Sequence, residues 1–134
     1  MFKKFSTTDT KAQGDDAEAL ALAHLLRQGL RLVARNYRVA AGPGRRAGEV
    51  DLILHDGGGT LVFVEVRARR SGSHGGAAAS VTRAKQRRIV YAARHYLLQF
   101  PSPPPCRFDV VTLEGEAGQQ RLQWLRGAFD ADQG

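Results

Sequence analysis

Cysteine is almost absent: Cys106 stands alone in 134 residues. An internal disulfide is excluded, and so is a zinc cluster built on thiolates. Histidine is scarce too. His24, His55, His74 and His95 are scattered, and none forms a closely spaced pair that would suggest zinc. Long hydrophobic runs are missing, and every apolar stretch breaks well short of the roughly 18 residues a membrane helix needs. The basic start Met1-Phe2-Lys3-Lys4-Phe5 is followed by no apolar segment of the secretory type. The cytoplasm is therefore the expected compartment, and a membrane is not an expected partner.

Acidic residues are the minority, 13 against 20 lysines and arginines, a formal charge of +7. Arginine dominates the excess, and its planar fork matches phosphate geometry. The basic residues cluster, which favours a polyanion-binding face over a merely solubilising surface.

The hydrophobic fraction of 43% suits one domain with one real core. Residues 1–13 lack periodicity and are expected as a flexible tail, residues 14–129 as the domain, and residues 130–134 as a second tail. Asp15 or Asp16 is placed to cap a helix that Gly29 ends. Leu22, Leu25 and Leu26 form its expected apolar stripe, with Glu18 beside it. Leu30 to Val39 is expected as an edge or half-exposed strand. A second helix spans about Thr82 to Leu98, with Thr82 as N-cap and Ile89, Ala92, Ala93, Tyr96 and Leu97 buried. Strands are expected at Arg107–Leu113 and Gln120–Leu125. The resulting order, α-β-β-β-α-β-β, predicts an α/β fold with a central mixed sheet flanked by helices.

The chemistry gathers between Gly48 and Arg67. Two apolar strands there are joined by the Gly57-Gly58-Gly59 turn. Glu49, Asp51, Glu65 and Arg67 are set into them, although a buried carboxylate is costly unless paired or metal-bound. Strict alternation puts Glu49, Asp51 and Ile53 on one face, and Phe63, Glu65 and Arg67 on one face of the next strand. A turn centred near Gly58 sets Asp51 opposite Glu65, with Cβ atoms roughly 4.5–5.5 Å apart. Carboxylates that close repel unless a cation lies between them. Magnesium fits, because it accepts one or two carboxylates and completes its shell with water and phosphate oxygens. Basic glycine-rich loops flank this rim. The phosphate-binding candidates are Arg45, Arg46, Arg69, Arg70, Arg83, Arg87 and Arg88. A plain ion pair between Glu65 and Arg67 is the alternative.

At Glu49-x-Asp51 followed by Glu65-x-Arg67, the chain resembles the PD-(D/E)xK superfamily of restriction-endonuclease-like nucleases. Within it, the chain is most similar to the YraN family of small bacterial proteins. The residues that carry the likeness are Glu18, Ala34-Arg35-Asn36-Tyr37, Gly48 to Ile53, Leu61 to Arg69, Ser80-Val81-Thr82 with Lys85 and Arg88, and Arg107 to Val111. The resemblance implies a restriction-endonuclease-like αβββαβ core and a Mg2+ or Mn2+ site. Asp51 and Glu65 would be ligands, Glu18 a supporting ligand through water, and the Val66 carbonyl a further donor. A first-helix Glu is a pattern shared with archaeal Holliday-junction resolvases.

Two positions depart from the pattern. Ala17 replaces a usual glycine, a mild change. Arg67 holds the superfamily's lysine position, and arginine cannot lose its proton. Arg67 can still stabilise charge on a phosphate. Three outcomes stay open: the metal suffices without a separate base, Lys85 reaches in from the second helix, or nothing is cleaved. Asp51, Glu65, Arg67 and Lys85 are the catalytic candidates. The expected function is metal-dependent nuclease action on DNA or structured nucleic acid. The alternative is a non-catalytic binding module on the same fold. Nucleic acid is the expected partner, and a homodimer is left open.

Overall fold

The glycine turn at 57–59 makes a hairpin core to which the other elements attach. The computed structural model describes residues 6–43, 47–70, 81–116 and 118–131, with side chains from Asp16 onward. The elements are α1 (Ser6–Arg27), β1 (Arg31–Val39), β2 (Gly48–His55), β3 (Leu61–Arg69), α2 (Arg83–Leu97), β4 (Cys106–Glu114) and β5 (Arg121–Phe129). Five strands form one sheet in the order β1-β2-β3-β4-β5. All neighbours are antiparallel except β3 and β4, which run parallel across the α2 connection. This is the mixed α/β architecture expected from the sequence.

The helices cover opposite faces. Leu52, Leu54, Val62 and Val64 pack with Ala17, Ala21 and Leu25 of α1. Ile53, Leu61 and Phe63 pack with Ile89, Ala92 and Ala93 of α2. Burial on both faces explains why β2 and β3 are nearly continuous apolar runs. Strand β1 is an edge strand, mostly exposed, as its polar positions suggested.

Several boundaries differ from expectation. Helix α1 begins at Ser6, so Asp15 and Asp16 lie inside it rather than capping it. The threonines upstream cost only a few tenths of a kcal/mol each in a helix, which does not stop it. The buried line of α1 is Ala17, Ala21 and Leu25, whereas Leu26 is 45% exposed. Small residues at the contact seat the helix close to the sheet. Its end is as expected: Gly29 has φ 98°, Leu30 N–H donates to Leu25 C=O, and Gly29 N–H to Leu26 C=O. That is a Schellman closure. Thr82 caps α2 by accepting from Lys85 N–H at 3.1 Å. Val90 joins the buried face of α2, while Tyr96 and Leu97 are half-buried. Strand β5 runs on to Phe129, held in part by Asp109.

Gly48 sets the distance between β2 and α2. A Cβ there would stand 2.7 Å from Tyr91 Cδ2 and 3.0 Å from the backbone N of Ala92. The ring can shift, but the helix backbone cannot without moving Lys85 and Arg88. Gly48→Ala is expected to cost about 1–3 kcal/mol through overpacking. Thermal unfolding checks this, and an unchanged midpoint would refute the close approach.

Candidate metal centre

The hairpin register runs Leu52–Val64, Ile53–Phe63, Leu54–Val62 and His55–Leu61. One further step brings Asp51 to Glu65, as the position of the turn predicted. Asp56 fixes that turn by accepting from Gly58 N–H at 2.7 Å and Thr60 N–H at 3.1 Å. Beyond Leu52 the backbone ladder of β2 and β3 stops. The Asp51 carboxylate takes the next place, accepting from Val66 N–H at 2.8 Å.

Strict alternation does not hold along β2. Val50 and Ile53 both pack on the α2 side, three residues apart. The strand therefore changes face near Asp51, and the expected single face of Glu49, Asp51 and Ile53 is broken. At this break the Asp51 side chain turns along the sheet toward β3.

A cavity of about 440 Å³ opens at this rim. Helix α1 contributes Ala17 and Glu18, and β1 contributes Asn36 and Arg38. Asp51, Glu65, Val66 and Arg67 come from the hairpin, and Lys85 from α2. All four catalytic candidates and both supporting positions, Glu18 and Val66, thus line one space.

Glu65 is only 2% exposed, and its Oε1 has no hydrogen-bond partner. Burial first, and the adjacent Asp51 second, push its carboxyl up to about 8. Two cations stand at the edge of contact with Oε2: Lys85 Nζ at 3.7 Å and Arg67 at 3.8 Å. Glu18 is pushed up by burial and by Asp51, against Arg35, whose guanidinium lies 3.4 Å away. Glu49 has a different setting. Burial pushes it up, but Lys85, Arg88 and Arg38 outweigh this and hold it below the usual carboxylate range. Lys85 reaches it at 3.2 Å, and Arg88 is hydrogen-bonded to it.

Among the described residues no three histidine, cysteine or acidic side chains converge into an all-protein cage. Two carboxylates do lie side by side, one with an unpartnered buried oxygen. That donor set suits a hard dication which keeps several waters. Val66 lines the cavity too.

The phosphate-binding candidates divide. Arg70, Arg83 and Arg87 are exposed. Arg69 is bound to Glu114 at 2.8 Å and Arg88 to Glu49. Arg45 and Arg46 lie outside the described residues, as do residues 71–80 of the second basic loop. Sequence reasoning passed over Asn36 and Arg38 as site residues. An asparagine within a strand is a poor strand former and marks an irregularity. Asp109 was also passed over. It is fully buried and accepts from Trp124 Nε1, Gly127 N–H and Arg107, tying β5 to β4.

Residues 17–113 match the profile of the uncharacterised protein family UPF0102. The chain belongs to this family. UPF0102 is the YraN family, so the likeness to that family is a true membership. A UPF0102 protein of Methylibium petroleiphilum is 66% identical over 122 residues, covering 91% of this chain and 97% of the relative. One from Paracidovorax citrulli is 63% identical over 124 residues, 92% and 87% of the two chains. One from Cupriavidus taiwanensis is 55% identical over 131 residues, 98% and 92%. The matched span covers every residue of the cavity. Among the described residues no helix is long and apolar enough to cross a membrane.

Proposed function

We propose that this UPF0102 protein is a Mg2+- or Mn2+-dependent phosphodiesterase acting on nucleic acid, DNA first, with the fold of restriction-endonuclease-like enzymes. One observation carries the reading: a buried Glu65 with an unpartnered oxygen beside Asp51. A folded chain keeps such a costly pair for a cation. Asp51 and Glu65 would hold the metal, with Glu18 behind them. The metal would supply Lewis acidity and a activated water. Lys85 and Arg67 flank the pair and face the same cavity. Their charges are placed to receive a phosphate and to stabilise it as charge develops. Arg70, Arg83 and Arg87 extend positive charge outside the cavity and would guide the polyanion.

The test is Mn2+ titration by calorimetry of wild type and Asp51→Asn, paired with cleavage assays on duplex, single-stranded and branched DNA. Wild type is expected to bind Mn2+ and to cut at least one substrate, and Asp51→Asn to do neither. Mn2+ binding absent from the wild type would end the metal reading.

Arg67 favours a second reading, a non-catalytic binding module, because it stands where a lysine is usual. In that case binding weakens steeply with salt and is indifferent to Asp51→Asn.

A further inference from the structure

Asn36 is the only non-glycine residue with positive φ among the described residues, at 52°. Asparagine tolerates this left-handed conformation better than other side chains that carry a Cβ. The turn has a counterpart. In β1, Ala34 and Tyr37 pack on the α2 side although they are three residues apart. In β2, Val50 and Ile53 do the same. A regular strand would send each pair to opposite faces. Asn36 and Asp51 stand on neighbouring strands, between the Arg35–Leu52 and Tyr37–Val50 pairs. Both strands therefore change face at the same rung. Because they turn together, the ladder between them continues in register while Asp51 is released toward β3.

The Asn36 side chain has a task of its own. It lines the cavity beside the Glu18 carboxylate, close enough to favour its ionised form. Arg35, one residue earlier, reaches the same carboxylate on the exposed side. Glu18 thus has two consecutive residues of the edge strand beside it, Arg35 in an ion pair and Asn36 within the cavity.

We propose that Asn36 is a positioning residue of the metal site: its left-handed turn matches the break in β2 that swings Asp51 onto Val66 N–H, and its amide holds Glu18 toward the Asp51–Glu65 pair. The proposal rests on the metal reading above. Glycine can supply the turn but not the amide, so the two tasks are separable. Groups that orient ligands in this way typically change metal affinity by about 10–100-fold when removed.

The experiment is Mn2+ calorimetry and thermal melting of wild type, Asn36→Gly and Asn36→Ala. Asn36→Gly is expected to melt close to wild type and to bind Mn2+ about tenfold more weakly. Asn36→Ala is expected to bind weakly and also to melt lower, since alanine resists the left-handed turn. Wild-type Mn2+ affinity in Asn36→Gly overturns the proposal and leaves the metal reading standing. Melting loss in both variants with affinity unmoved assigns Asn36 a structural task only and likewise overturns it. A wild type that binds no Mn2+ overturns the metal reading and this proposal with it.

Discussion

Glu65→Gln is expected to raise the melting temperature of the metal-free protein at pH 8 by several degrees and to leave it little changed at pH 5. The sign follows from the raised carboxyl, pushed to about 8 by burial and by Asp51. In the unfolded chain the same group ionises near its ordinary value of 4.5. Between these values the unfolded chain releases a proton that the folded chain keeps. Stability is therefore fully present below about pH 4.5 and is lost as pH rises through about 8. The loss is on the order of 2–4 kcal/mol, taking part of the roughly 1.4 kcal/mol per pK unit because Lys85 and Arg67 stand close. Glutamine has the same shape and never ionises, so it removes this slope. Divalent metal reverses the comparison. Mn2+ at pH 8 is expected to stabilise the wild type, because it binds the folded state alone, and to leave Glu65→Gln unmoved. Differential scanning calorimetry at the two pH values, with and without Mn2+, measures all four states. A wild-type midpoint independent of pH between 5 and 8 would remove the basis for the buried acid pair.

Lys85→Met is expected to tighten Mn2+ binding while reducing cleavage by about 10²-fold or more. The two effects have one cause. The Lys85 ammonium lies between Glu49 and Glu65 and competes with a dication for the same oxygens. Removing it frees the acid pair for metal. It also removes a compact cation that faces the cavity, where a phosphate would arrive. Arg67 is different: it is 39% exposed, and its reach to Glu65 is comparable. Arg67→Lys is therefore expected to stay within a few-fold of wild type. Calorimetry gives the affinities, and single-turnover cleavage gives the rates. Full cleavage by Lys85→Met would return the weight to Arg67 or to the metal alone.

Most of this site was legible because its key relation is local. Asp51 and Glu65 belong to one hairpin, and Asp56 with the glycines fixes where that hairpin turns. The register then follows by counting. Apolar runs marked β2 and β3, and Thr82 and Gly29 marked two helix ends. What escaped was set by contacts between distant segments. The face of α1 is chosen by how closely it approaches the sheet, so Ala17 and Ala21 outrank Leu26. The reach of Lys85 depends on how far α2 slides over Gly48. The face change in β2 coincides with a side chain bonding to another strand's backbone. Alternation rules carry no information about that.

The rung from Val66 N–H to Asp51 makes position 51 answer to architecture as well as chemistry. A relative without any activity would still need an acceptor there to close the sheet rim. Glu65 has no such second employment, since its burial raises the cost of ionising it and one oxygen bonds to nothing. In relatives of this chain, the acid at position 65 is therefore the better marker of a working site, and the acid at position 51 the better marker of the fold.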